Sequence, residues 1–295
     1  MTIADTTSAP LPRLPARPAD SHKGDYGRAL LVGGSRGMSG AIALAGLATL
    51  RSGAGLVRLA VPHCIQDVVA SFSPCYMTRG LEDEDGHFAR AAWKISLGHE
   101  IVPTAVAVGP GIGRTEAVMD FVEFNYRESE LPAVFDADAL FALAKRQTDL
   151  AATAGARVLT PHPGEFSRLT KQSYESHNRL NAAVDFMRQI SPGCRHPIIL
   201  VLKGHETIVT DGQRYSINQT GNPGRATGGT GDVLTGVITG LLCQGFAPFD
   251  AARLGVHVHG LAGDLAAQQL GQVSLIASDV IDFLPTAFQS LEVSR

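Results

Sequence analysis

Through residues 28–169 the chain alternates two patterns. Short runs that are apolar at nearly every position (28–32, 56–61, 105–108, 133–135 and 157–159) alternate with longer stretches in which apolar residues recur every three or four positions (40–52, 115–126, 139–145 and 164–169). A run without polar alternation fits a strand covered on both faces, and the three-to-four spacing fits helices that do the covering. The fold class predicted is α/β, with a mostly parallel central sheet and helices on both faces.

A polar helical pattern over residues 174–190 leads to another apolar run at 198–203. Two β-type runs, 207–210 and 213–217, then flank Asp211-Gly212, a dipeptide suited to a tight hairpin. Antiparallel strands are therefore expected to finish the sheet. From Gly231 onward the pattern is helical, with Asp250 and Ser278 placed to act as N-caps. The apolar stretch 233–249 contains three glycines and Pro248, and is too short for a membrane span, so it reads as a buried core helix. Residues 1–24, with Pro10, Pro12, Pro15 and Pro18, read as an extended arm outside the core, followed by a single catalytic domain at 25–295.

Composition narrows the function classes. The chain has 295 residues, with 25 Lys and Arg against 28 Asp and Glu, a formal charge of −3. This lacks the basic face that nucleic-acid binding requires. Only 6% of residues are aromatic, which argues against base-stacking platforms. Cys64, Cys75, Cys194 and Cys243 are far apart in sequence and form no C-x-x-C, so they read as buried reduced thiols. The N-terminus lacks a secretory pattern, so the expected location is the cytoplasm, with no membrane association.

The most informative stretch runs from Gly221 through Arg225, Gly228, Gly229, Thr230, Gly231 and Asp232 to Gly236. A glycine-rich turn feeding a helix collects free amides and the positive end of the helix dipole, which suits a phosphate or a developing oxyanion. In that setting Asp232 is either a base for a substrate hydroxyl or a plain helix cap. The anion-hole amides would be those of Gly229, Thr230 and Gly231. The loop is not a P-loop, and the G-x-G-x-G of residues 109–113 is not a dinucleotide fingerprint, although its place after a strand allows a ligand-facing role.

Other candidates follow strands in the same way. In residues 160–165, His162 and Glu165 sit on a proline-stiffened turn, where Glu165 is either a first-turn helix acid or a carboxylate that holds Mg²⁺ through water. Asp136 and Asp138 follow the run 133–135, one to line a site and one to cap the next helix. Lys203 is either a phosphate partner or a solvated strand-end cation. His257 and His259, two apart on a helix, cannot easily share a metal and read as structural.

Taken together, these segments resemble the ribokinase-like superfamily and, within it, the ADP-dependent (S)-NAD(P)H-hydrate dehydratases. The resemblance covers about residue 23 to the end. It is carried by Lys23-Gly24-Asp25-Tyr26-Gly27, Gly33-Gly34-Ser35, Ser39-Gly40-Ala41, Gly109-Pro110-Gly111, Asp136-Ala137-Asp138-Ala139-Leu140, residues 160–165, Lys203-Gly204 and residues 221–236. It implies repair of NADH or NADPH hydrated on the nicotinamide ring. The C6 hydroxyl is phosphorylated by ADP and phosphate is then eliminated, yielding the reduced dinucleotide and AMP. Ala41, Gly111, His162 and Asp232 would contact the hydrated dinucleotide, with Asp232 as the base. Lys203, Gly204, His205, Glu206, Thr207 and Gly231 would hold the nucleotide, with Mg²⁺ as cofactor.

The resemblance further implies a homo-oligomer, a tetramer by analogy, and an NAD(P)H-hydrate epimerase on a separate chain as functional partner. Arg225 departs from the apolar residue usual at its position in similar sequences. The alternatives are an ATP-dependent small-molecule kinase of the same fold, acting on a vitamin precursor or sugar, and a non-catalytic nucleotide-binding protein, against which the presence of Asp232 argues.

Overall fold

The computed structural model describes residues 3–94, 102–172 and 178–293. The first half runs β1 (Ala4–Asp5), β2 (Arg28–Val32), α1 (Ser39–Arg51), β3 (Leu56–Pro62), α2 (Gln66–Ser71), β4 (Met77–Leu81), β5 (Asp83–Glu84), β6 (His87–Phe88), β7 (Ala105–Val108) and α3 (Glu116–Glu128). Next come β8 (Ala133–Phe135), α4 (Asp138–Arg146), β9 (Arg157–Leu159), α5 (Pro163–Thr170), α6 (Arg179–Ile190), β10 (Ile198–Leu202), β11 (Ile208–Thr210) and β12 (Arg214–Ile217). Three long helices close the chain: α7 (Thr230–Cys243), α8 (Pro248–Leu270) and α9 (Ala277–Val293). Residues 174–177 of the helix expected over 174–190 lie outside the described residues, and α6 covers the remainder from Arg179.

Among the described residues, ten strands form one sheet in the order β1-β12-β11-β10-β9-β8-β7-β2-β3-β4. From β4 through β10 every neighbouring pair is parallel. The hairpin β11–β12 adds antiparallel strands beyond β10, turning at Asp211-Gly212 where Gly212 has φ 86°. A small separate hairpin joins β5 and β6.

Successive strand residues point to opposite faces and so feed two cores. Leu31, Leu59, Val134 and Ile199 pack with α1, α7, α8 and α9 through Ile42, Leu234, Val256 and Leu284. Leu30, Val32, Val106 and Leu200 pack on the other face with α3, α4, α5 and α6 through Phe121, Leu140, Phe166 and Met187. Burial on both faces is why the strands lack polar alternation.

Several expectations are corrected. The antiparallel hairpin does not end the sheet, because β1 pairs parallel with β12 outside it. The N-terminal segment is extended but docked on the body: Leu11 and Leu14 pack on the first core, and the Arg253 guanidinium donates to the carbonyls of Ala9 and Pro10. Asp250 does not cap α8, because Pro248 starts the helix earlier and leaves Asp250 in its first turn. Ser278 does not cap α9 either; the Asp279 carboxylate accepts the Ile276 amide at 2.8 Å. The stretch 233–249 is a buried helix only as far as Cys243, after which it turns into α8. All four cysteines are free, but only Cys243 is buried. Cys64 and Cys75 are exposed because they lie in the connection between β3 and β4, Cys64 in the turn after β3 and Cys75 in the turn before β4.

Candidate active site

Parallel strands deliver their carboxyl ends to one edge of the sheet, and the segments singled out for chemistry follow five of them. They are Gly33-Gly34-Ser35 after β2, residues 109–113 after β7, Asp136 after β8, residues 160–165 after β9 and Lys203 after β10. The first turn of α7 packs against this edge.

That first turn is shaped by its approach. Gly229 is the N-cap residue with φ 92°, a left-handed conformation suited to glycine. Thr230 opens the helix, and its hydroxyl reaches back to the carbonyls of Arg225 at 3.0 Å and Thr227 at 3.1 Å. The amides of Thr230, Gly231 and Asp232 have no carbonyl one turn earlier within the helix, so they form a set of donors at the positive end of the dipole. Asp232 is the third residue of α7, and it does not cap the helix.

Asp232 stands in a crowd of charge. Burial, reinforced by the negative charge of Asp136, raises its carboxyl to about 7; Lys203 pulls the other way, while Asp138 and Glu165 add to the rise. Lys203 is in turn held protonated. Burial disfavours its charge, but the carboxylates of Asp136, Glu165 and Asp232 outweigh burial and raise it above its ordinary value. Its Nζ donates to Asp136 Oδ1 at 2.8 Å and lies 4.0 Å from Glu165 Oε2. Lys203 is thus a paired, largely buried cation, not a solvated one.

The two aspartates after β8 divide their work differently from the expectation. Asp136 is buried beside Lys203. Asp138 is the first residue of α4 and does not cap it; its carboxylate accepts the Gly113 amide at 3.1 Å and Arg114 Nε at 2.6 Å, securing the 109–113 turn. Between them Ala137 has φ 52° and ψ −122°, a strained conformation for a residue with a Cβ.

Glu165 and His162 form a capping box at the start of α5. The Glu165 carboxylate accepts the His162 amide at 2.8 Å, and His162 Nδ1 accepts the Gly164 amide at 3.0 Å. Glu165 is thus the first-turn acid of one reading, and the same carboxylate lies toward Lys203. Among the described residues no three His, Cys, Asp or Glu side chains converge as a metal cage.

A cavity of about 660 Å³ opens between the β10–β11 connection and the 218–231 loop. Lys203, Gly204, His205, Glu206, Thr207 and Gly231, the six residues the resemblance assigns to the nucleotide, all line it. Ala41, Gly111, His162 and Asp232 do not. Ala41 and Gly111 are instead neighbours of each other, since a Cβ on Gly111 would stand 3.1 Å from the Ala41 methyl. Gly231 lines the cavity and Asp232 follows it directly in the first turn of α7.

Arg225 and His259 also line the cavity, although the two-residue spacing of His257 and His259 marks His259 only as structural. The Arg225 side chain is wedged between Gly221 and Gly263, where a Cβ on either would collide with it. Its Nη1 is 3.0 Å from His259 Nδ1. Burial, and then the Arg225 charge, lowers His259 to about 3, so the imidazole is neutral and accepts from the guanidinium. The residues 218–223 that line the same wall were only partly signalled, by the glycine motif beginning at Gly221. Their placement depends on Asp264 of α8, which accepts the Gly221 amide at 2.7 Å and Asn222 Nδ2 at 2.8 Å.

Comparison with known proteins matches residues 29–286 to the family described as NAD(P)H-hydrate dehydratase. A bifunctional NAD(P)H-hydrate repair enzyme from Moorella thermoacetica is 46% identical over 285 residues, which is 95% of this chain and 52% of that protein. The chain therefore spans about half the length of the bifunctional relatives it matches. An ADP-dependent (S)-NAD(P)H-hydrate dehydratase from Bacillus subtilis is 34% identical, covering 95% of each chain. A solved structure of an ADP/ATP-dependent NAD(P)H-hydrate dehydratase from Bacillus subtilis, co-crystallised with ATP and Mg²⁺, superimposes with a TM-score of 0.80 at 34% identity, covering 94% of each chain.

Proposed function

The chain belongs to the NAD(P)H-hydrate dehydratase family, with its ribokinase-like fold, and from that premise we propose that it repairs the S form of hydrated NADH or NADPH by ADP-dependent dehydration. The observation that carries this reading is the first turn of α7, where a carboxyl raised to about 7 stands beside a buried ammonium at the edge of a nucleotide-sized cavity.

The donor occupies the cavity, with its phosphates toward Lys203 and the free amides of Thr230 and Gly231. The hydrated nicotinamide lies on the other side of the turn, along Ala41, Gly111 and His162, with its C6 hydroxyl toward Asp232. In ionised form Asp232 accepts the hydroxyl proton as the oxygen attacks the β-phosphorus of ADP, and AMP leaves. The helix amides and Lys203 stabilise the charge on the transferring group. The C6–O bond then breaks with the electrons of the ring nitrogen, releasing phosphate, and loss of a C5 proton restores the reduced ring. Phosphorylation matters because phosphate leaves far more readily than hydroxide.

Mg²⁺ fits this site as a companion of the donor. The carboxylates of Asp136, Asp138, Glu165 and Asp232 outnumber the Lys203 ammonium, and both Glu165 oxygens already face neighbours, so Glu165 would hold the ion through water. The ion would neutralise phosphate charge. No helix among the described residues is long and apolar enough to cross a membrane; a cytoplasmic location is proposed from the family resemblance. The bifunctional names of longer relatives fit an epimerase as functional partner, and a homo-oligomer is proposed from the family resemblance alone.

The test is product analysis after incubating hydrated NADH with ADP or ATP and Mg²⁺. Near-ultraviolet absorbance of the reduced dinucleotide, appearing with equimolar AMP and phosphate from ADP, is the expected result. A stable phosphoester, or turnover with ATP and none with ADP, would contradict it.

A further inference from the structure

We infer that Asp136, which does not line the cavity, is a positioning residue: its carboxylate fixes the Lys203 ammonium against the first turn of α7 and, through Thr235, ties that turn to the end of β8. This rests on the functional reading above and concerns the same site.

Both carboxylate oxygens are committed. Oδ1 accepts Lys203 Nζ at 2.8 Å, and Oδ2 accepts the Thr235 hydroxyl at 2.8 Å. Asp136 is 1% exposed and Thr235 fully buried, so the carboxylate has no water to accept from in place of these two donors. Thr235 lies one helical turn beyond Asp232, and therefore on the same side of α7. A Cβ on Gly231 would stand 3.2 Å from Lys203 Nζ and 3.8 Å from Asp136 Oδ2. The ion pair is thus seated directly on the turn that carries the anion-binding amides.

The backbone holds Asp136 in this place. Its amide donates to Val108 and its carbonyl accepts the Ala139 amide, while Gly109 packs so closely that a Cβ there would lie 1.9 Å from the Asp136 carbonyl oxygen. The strained Ala137 that follows lets Asp136 turn toward Lys203 and Asp138 toward the 109–113 turn. One buried carboxylate thereby links β8, β10 and α7, and sets the ammonium before any donor arrives.

Replacing Asp136 by Asn keeps the shape and removes the charge. Lys203 loses its anchor, so the KM and the directly measured Kd for ADP rise about tenfold or more. The groups facing Asp232 are Asp136, Lys203, Asp138 and Glu165. Loss of the Asp136 charge removes a repulsion and frees Lys203 to turn to Asp232; both effects favour the ionised base. The acid limb of the kcat–pH profile therefore moves down, by about one pH unit. A role in folding alone would move neither the limb nor the ADP affinity of folded protein.

The experiment measures ADP binding by calorimetry and the kcat–pH profile for wild type, D136N, T235V and T235S. Weaker ADP binding in D136N with a lowered acid limb, and in T235V a several-fold loss of ADP affinity that T235S restores, is the expected result. ADP affinity within twofold of wild type and an unmoved limb in folded D136N would overturn the inference. Should D136N fail to fold, equal ADP affinities in T235V and T235S would overturn it. A wild type that binds ADP but turns over no hydrated dinucleotide would refute the functional reading and leave the binding comparison to decide this one.

Discussion

Arg225 shows how a single residue's location changes its meaning. From sequence it is a cation near a glycine-rich loop; in the structure it is built into the cavity wall, between Gly221 and Gly263 and against neutral His259. Burial lowers Arg225 and Asp264 opposes that lowering; a guanidinium in the cavity wall adds to the attraction for an anionic donor. Arg225→Met should raise the KM for ADP several-fold, most at low salt, because a partly screened charge is lost. Gly263→Ala should reproduce the effect, since the new methyl would stand where Arg225 Cδ now lies. Unchanged KM in both variants at low salt would remove Arg225 from the donor site.

Asp232 carries a second residue-scale consequence, in stability. Its carboxyl is raised to about 7 in the folded protein, against an ordinary value near 4. The folded state therefore binds the proton more tightly than the unfolded chain, and stability falls as pH rises from about 4 through about 7. Asp232→Asn removes that loss. Its denaturation midpoint should exceed wild type at pH 8, with the difference vanishing near pH 4. A difference independent of pH would mean that Asp232 is an ordinary carboxyl.

At the scale of elements, the regular strands and helices were legible because burial on one or both faces imposes its period on the sequence. β2, β7, β8 and β9 occupy the residues their apolar runs mark. Where packing does not set the pattern, the sequence was quieter. β1 has only two residues, both exposed, and β4 carries little apolar signal, with Leu81 alone fully buried. Helix starts were misplaced where a proline or a neighbouring acid competed for the cap, as Pro248 did with Asp250 and Asp279 with Ser278.

Arg157 illustrates a support that no local pattern could reveal. It opens β9, is wholly buried, and donates to the carbonyls of Tyr126 and Leu131 at 2.8 and 2.9 Å, and to those of Ala156 and Ser129. It thereby closes the C-terminal end of α3 and the loop after it. Burial lowers Arg157 to about 10, which leaves it charged at neutral pH. Arg157→Leu would orphan several buried carbonyls and should cost about 3–5 kcal/mol, lowering Tm by roughly 10 °C. Because Arg157 lies at the opposite end of the strand from the site, kcat of the folded fraction should be unchanged; a large loss of kcat without loss of stability would contradict this role.

Across the whole molecule, the active edge exists because parallel strands end together and α7 points its first turn at them. The motifs that supply it were legible one at a time, since glycine, proline and carboxylate clusters interrupt the apolar runs. Their assembly was less so. The Lys203–Asp136–Thr235 bridge joins positions up to 99 residues apart, and neither the His259 partnership nor the docking of the N-terminal segment leaves a periodic trace. The proposed function asks of α7 that Asp232 act as a base while the amides beside it hold phosphate. The direct measurement is kcat and ADP affinity for Asp232→Asn at pH 8, against wild type, with ADP and the hydrated dinucleotide. The account predicts a fall in kcat of about 10²- to 10⁴-fold with ADP affinity within a few-fold of wild type. A folded variant that keeps near wild-type kcat would contradict it.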